Sequence, residues 1–207
     1  VSVTDRLAEL GIELPEVVAP LAAYVPAVRT GNLVYTSGQL PMQGGKLPAE
    51  GKVGAEVTAD DGKALARVCA LNALAAVHAL VGIDSVVRVV KVVGFVASAP
   101  GFSGQPAVIN GASELLGEVF GAAGAHARSA VGVSELPLNA PVEVMLTQIL
   151  SFQAAAGSVS GSLPAMRAAA EEGRDLADAL GDQYTSRLCR FALGYAQLFQ
   201  GELAAAV

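Results

Sequence analysis

Hydrophobic and polar positions along this chain change period several times, and each change marks an element. Residues 3–11 predict a short amphipathic helix stopped near Gly11, and Pro15, Pro20 and Pro26 keep the following segment extended. AAYVPAVRT and NLVYTSGQL are two apolar, β-branched runs joined at Thr30-Gly31-Asn32, which predicts a hairpin. After the Gly- and Pro-rich loop PMQGGKLPAEGKVGAEV, Thr58 with Asp61 three residues on predicts a capping box and a helix running to about Gly82. IDSVVRVVKVVGFVASA is almost continuously β-branched and reads as a long central strand buried on much of both faces. QPAVINGASELLGEVFG spaces Val108, Leu115, Val119 and Phe120 for a second helix, with Gly111 counting against it. Finally, HARSAVGVSELPLNAPVEVML opens two strands, 127–135 and 141–150, around the turn LPLNAP.

Helices that return after strands predict crossover connections, hence an α+β domain with a mixed sheet and both helices on one face. The other face is left bare. Apolar content of 53%, charge of 15% and a mean hydropathy of +0.50 leave few charged residues to cover it, so an oligomer is expected. Composition shifts after this domain, taken as residues 1–152. The stretch 153–163 reads as a small-residue linker, and 164–207 as two helices separated near Gly181-Asp182. Leu193, Gly194, Gly201 and Ala206 fall at spacings like those of a tetratricopeptide-type repeat. An array needs several units to bury its faces, so this segment is expected to be a helical tail docked on the domain or on a neighbour.

A net charge of −6 and the lack of a basic cluster argue against nucleic-acid binding. Cys69 and Cys189 have no metal-ligand spacing and read as reduced cysteines of a cytoplasmic protein. VSVTDRLAEL has neither the basic nor the apolar region of a secretory signal. The most apolar run, ALARVCALNALAAVHALVG, is interrupted by Arg67, Asn72 and His78 and reads as a core helix rather than a membrane span. No phosphate loop, HExxH, Cys-pair zinc site or GxSxG elbow occurs. His78 reads as a core or partner-facing residue; His126 either reaches the mouth of a site or is a neutral surface histidine.

Arg128 stands apart. Strand alternation puts Arg128, Ala130 and Gly132 on one face, an arginine followed by two of the smallest residues. A close-packed core would waste it, whereas a pocket gripping a carboxylate bidentately suits it. Glu143, between Val142 and Val144 on the next strand, offers a carboxylate; a structural ion pair of Arg128 with Glu143 is the competing interpretation.

The blocks AAYVPAV, NLVYTSGQLP, QPAVINGASELL and RSAVGVSELPLNAPVEV, in this order, resemble the Rid family, the YjgF-like reactive intermediate deaminases, from about residue 13 to 150. The resemblance implies a chorismate-mutase-like fold and a homotrimer whose bare sheet faces form a central barrel, with the small-residue face opening on a cleft between subunits. Carried over by position, Arg128 matches the arginine that holds the substrate carboxylate and Glu143 the glutamate that positions the attacking water. Tyr24 matches a tyrosine entering the neighbouring cleft, Ser37 and Gly38 a polar turn lining it, and Asn110 an asparagine on the second helix. Ser37 and Asn110 would equally serve to satisfy nearby backbone. Ala130, also at the pocket, stands where many members have cysteine, and Met145 where they often have a second glutamate. The implied activity is hydrolytic deamination of 2-imino or 2-enamino acids to 2-oxo acids and ammonia, with no metal or organic cofactor, no nucleic acid and no membrane. The alternative is a non-catalytic trimeric protein that binds small carboxylated metabolites.

Overall fold

The computed structural model describes residues 2–17 and 23–150, with a few positions between 170 and 193. Its elements are α1 (Val3–Glu9), β1 (Ala27–Thr30), β2 (Leu33–Thr36), α2 (Ala59–Val81), β3 (Val86–Ala97), α3 (Gln105–Phe120), β4 (Ala127–Val133) and β5 (Val142–Leu150). Each element predicted up to residue 150 is present, and the two helices predicted over 164–207 lie largely outside the described residues. β1 and β2 pair antiparallel around Gly31, whose φ of 53° suits a residue without a side chain. The start of α2 differs in detail: Thr58 Oγ1 accepts the Asp61 N–H at 3.1 Å, but the Asp61 carboxylate accepts the Thr58 hydroxyl, at 2.7 Å, so the box closes side chain to side chain.

The five strands form one mixed sheet in the order β1-β2-β5-β3-β4. Only β3 and β4 run parallel, joined by the crossover through α3. Adjacency in sequence predicts β4 and β5 as partners, and here the structure corrects the prediction: β3 lies between them, paired with Ala127–Val133 on one side and with β5 on the other. The crossover places β4 beside β3 at the sheet edge, and β5 returns on the far side of β3, where it also closes the gap to β2.

Helices α2 and α3 cover one face. Val89, Val92 and Val96 of β3 and Val142, Val144 and Leu146 of β5 are buried beneath them. Both helices precede a strand of the β3/β4 pair, so they run side by side in one direction. At Gly111 their backbones approach so closely that a Cβ there would collide with the Lys63 carbonyl oxygen. The glycine that weakened the helix prediction is thus what lets the helices pack. Lys63–Glu114 at 2.8 Å and Arg67–Glu118 at 2.7 Å line the outer side of this contact. On the opposite face, Val28, Tyr35, Val131 and Ile149 are exposed and Lys91, Val93 and Phe95 only partly covered. Burial of β3 on both faces is therefore not seen within one protomer.

Phe152–Val207 forms a second compact unit. In it Ala170 and Leu193 are helical and buried, and Arg190 pairs with Asp178 at 2.8 Å. The linker 153–163 and the spacing at Gly194, Gly201 and Ala206 lie outside the described residues.

Among the described residues two buried amides have unpartnered atoms, and Asn72 lacks a partner only at Oδ1. Gln148 of β5, on the helix-covered face, is fully buried, and neither atom of its amide has a hydrogen-bond partner. Replacing an unpaired buried amide with an apolar side chain of similar size removes a desolvation cost of about 1–3 kcal/mol. Gln148→Met should therefore raise the denaturation midpoint in urea, a shift read from the tryptophan-free chain by far-ultraviolet circular dichroism.

Candidate functional site

Arg128 enters β4 opposite Val92, so its side chain lies on the helix-covered face. There α3 meets it. Arg128 Nη1 donates to Asn110 Oδ1 at 2.8 Å and to Ser113 Oγ at 3.1 Å, which uses both hydrogens of that nitrogen. Ser113 Oγ also lies 3.0 Å from His126 Nε2, and His126 Nδ1 is 2.6 Å from the Gly124 carbonyl oxygen. Nε and Nη2 of Arg128 have no protein partner among the described residues, and no carboxylate contacts the guanidinium. A partly buried cation is thus held from one side with its other edge available.

Glu143 enters β5 opposite Phe95. Val92 and Phe95 are an odd number of residues apart with no register irregularity between them, so Glu143 projects from the bare face. The two residues accordingly sit on strands separated by β3 and on opposite faces of the sheet. Within one protomer this geometry leaves no ion pair between Arg128 and Glu143. Burial pushes the Glu143 carboxyl above its ordinary value, and no neighbouring cation offsets it. Gly38 lies directly over the carboxylate, where a Cβ would collide with Oε1. The Cys69 thiol, buried at 3.6 Å from the Val142 carbonyl oxygen, is pushed well up by burial and further by the charge of Glu143.

The remaining predicted residues divide between these two groups. Ser37 donates its hydroxyl to the Val25 carbonyl at 2.6 Å, and its N–H goes to the Pro26 carbonyl at 2.8 Å, so it does satisfy nearby backbone while tying the Tyr24 segment to Gly38 and Glu143. Tyr24 is 45% exposed. Asn110 binds Arg128 instead of backbone. Ala130, opposite Gly94, packs against the core, and a side chain at Gly132 would meet Gln105 Nε2 at 2.8 Å and Ser98 Oγ at 3.0 Å. Within a protomer Ala130 lies under α3, while Gly132 is exposed beside Gln105 and Ser98. One half-site therefore holds Arg128, Asn110 and Ala130, and the other holds Tyr24, Ser37, Gly38 and Glu143. Among the described residues no group of three or more His, Cys, Asp or Glu is arranged to hold a metal ion.

This mixed sheet, with its crossover helix and matching sequence, has relatives. Residues 4–150 match the family described as "YjgF/chorismate mutase-like, putative endoribonuclease". The chain belongs to this family. Protein TCP17 of Trypanosoma cruzi is 46% identical over 144 residues, which cover 69% of this chain and 90% of that protein. A crystal structure of a protein of unknown function from Agrobacterium tumefaciens, 46% identical, covers 72% of this chain and 92% of its own, with a TM-score of 0.66. A second, described as a "putative endoribonuclease" of Shewanella oneidensis, is 35% identical and covers 72% of this chain and all of its own, with a TM-score of 0.70. The fold is that of YjgF proteins, chorismate-mutase-like, and members of the family are generally small homotrimers.

The sequence reading missed Ser113 altogether and left His126 undecided. The spacing of Asn110 and Ser113 was the available signal, since residues three apart share one face of a helix.

The raised Glu143 carboxyl has a consequence for stability. Its proton is held more tightly in the folded than in the unfolded chain, so the stabilisation from protonation is complete below the ordinary Glu range and is lost as pH rises through the raised folded value. Glu143→Gln should melt higher than the parent at pH 8, with the gap closing as pH falls toward 4. A gap that stays constant across thermal scans at both pH values would contradict the burial effect.

Proposed function

We propose that this protein hydrolyses 2-imino or 2-enamino acids to 2-oxo acids and ammonia, working as a homotrimer. The observation that carries the proposal is Arg128, a partly buried guanidinium with one nitrogen held by Asn110 and Ser113 and no carboxylate of its own. An unpaired buried cation is costly to a fold, and a substrate carboxylate would offset that cost. Nη2 and Nε present a planar fork suited to bidentate binding of such a group.

On this reading the carboxylate rests on Arg128, and the imine carbon one bond away faces a water held by Glu143. Because the two half-sites lie on opposite faces of a protomer, Glu143, Tyr24, Ser37 and Gly38 are contributed by a second copy. Water adds to C=N, the carbinolamine passes a proton from oxygen to nitrogen, and the C–N bond breaks to give C=O and ammonia. Orientation supplies most of the rate, since no strong nucleophile is involved. Glu143 must be ionised to accept a proton from water, so activity should fall on the acid side at a pH above the ordinary Glu range.

Carboxylate binding without turnover is the second reading. The Arg128 half-site favours it because its known contacts include no acid or base able to activate water from the same protomer, and Ala130 and Met145 replace the cysteine and second glutamate of many relatives. For an RNA substrate the support is weaker: the net charge is −6.

The test generates imines in situ with an amino-acid oxidase and follows ammonia release with and without the protein. Release should be faster with it. Arg128→Lys keeps the charge but loses the fork, and should lower deamination at least about tenfold, equivalent to about 1.4 kcal/mol, with assembly and melting temperature nearly unchanged. Full activity in that variant counts against the carboxylate clamp. Pyruvate binding without ammonia release from any of several imines supports the second reading.

A further inference from the structure

Resting on the carboxylate role of Arg128, we propose that Ser113 and His126 are positioning residues that aim its guanidinium, and that His126 does so as the tautomer protonated on Nδ1. For a neutral His126 ring the direction of every hydrogen bond in the group follows by elimination. The Gly124 carbonyl can only accept, so the ring nitrogen 2.6 Å from it, Nδ1, carries the proton. In the neutral ring Nε2 is then an acceptor, and the Ser113 hydroxyl 3.0 Å away donates to it. With its own hydrogen committed, Ser113 Oγ turns lone pairs toward Arg128 Nη1, which donates at 3.1 Å. The chain therefore runs from Arg128 through Ser113 to His126 and ends on the Gly124 backbone.

Asn110 takes the second Nη1 hydrogen at 2.8 Å. Two acceptors on one nitrogen define the guanidinium plane, and the plane determines where Nη2 and Nε point. Asn110 alone would leave the group free to swing about that single bond. The anchor is itself rigid: Gly124 is buried, and a Cβ there would collide with the Leu116 carbonyl oxygen, so the turn after α3 is pressed against the helix that carries Asn110 and Ser113. His126 and Ser113 are both partly buried, which protects the hydrogen bonds from exchange with water. A free histidine is not held in the Nδ1-protonated form by any such acceptor, so the tautomer is a direct signature of the chain.

Two measurements on the full-length protein test this. Long-range 1H–15N correlation of the histidine rings should show His126 with Nδ1 protonated and Nε2 bare. Calorimetric titration with pyruvate should show Ser113→Ala and His126→Ala each weakening binding about fivefold. The double variant should be little worse than either single one, because both break the same chain. Ser113→Thr, which keeps the hydroxyl, should restore most of the affinity, a rescue that a purely structural role in packing would not produce. A proton found on Nε2 of His126 overturns the proposal. So does parent-like pyruvate affinity in Ser113→Ala while Arg128→Lys loses tenfold or more, and in that case the carboxylate clamp stands and only the aiming device fails. Pyruvate affinity untouched by Arg128→Lys overturns the clamp, and the aiming role with it, even if the His126 tautomer is as described.

Discussion

A parallel pair of strands cannot be joined by a tight turn, and the chain between β3 and β4 must therefore cross the sheet. The crossover is α3, and much else depends on it. Carried over one face by α3, β4 pairs with β3 on one side and forms the edge of the sheet. β5 comes back on the other side of β3, where it completes the sheet against β2. The same crossover brings Asn110 and Ser113 over β4, and it is from β4 that Arg128 rises to meet them. Fold and half-site are two results of one connection.

The close approach of α2 and α3 sets how much of the sheet they can cover. Gly111 removes the side chain that would hold the helices apart, and Gly94 leaves room for Ile109 beneath α3. The result is one densely packed face and one bare face. The bare face mixes exposed Val28, Tyr35 and Ile149 with the partly covered carboxylate of Glu143 and the ammonium of Lys91, which donates to Ser129 at 2.9 Å. It is more apolar than a solvent-facing sheet of a protein with free choice of surface residues. In a family whose members are generally homotrimers, that face has an obvious use as subunit interface.

Most elements were legible because each has a strong local signature: β-branched runs, a Thr–x–x–Asp helix start, Gly82 after the last turn of α2. Pairing was not. Neighbouring strands separated by a short turn usually pair, and LPLNAP looks like such a turn, yet Leu138 and Asn139 take left-handed conformations and send β5 past β3 instead. Nothing local in β4 or β5 encodes which side of β3 each will occupy, since both outcomes bury the same alternating side chains. That one topological error carried into the site. If β4 and β5 were partners, Arg128 and Glu143 could face each other; with β3 between them, residue parity puts them on opposite faces. Position by position, Asn110 and Gly38 could be assigned from resemblance, but their contacts, one with Arg128 and the other with Glu143, required the fold.

The separation has chemical value on the proposed reading. A cation and a carboxylate in contact would neutralise each other, lower the carboxylate's proton affinity and occupy the guanidinium fork that substrate needs. Placed on opposite faces, each keeps its reactivity: Arg128 has no anionic partner among the described residues, and burial raises the proton affinity of Glu143. Bringing them together then requires a second copy of the chain, so a competent site exists only where two subunits meet. On that reading assembly and chemistry are linked by geometry, and a protomer alone can neither quench its own site nor complete it.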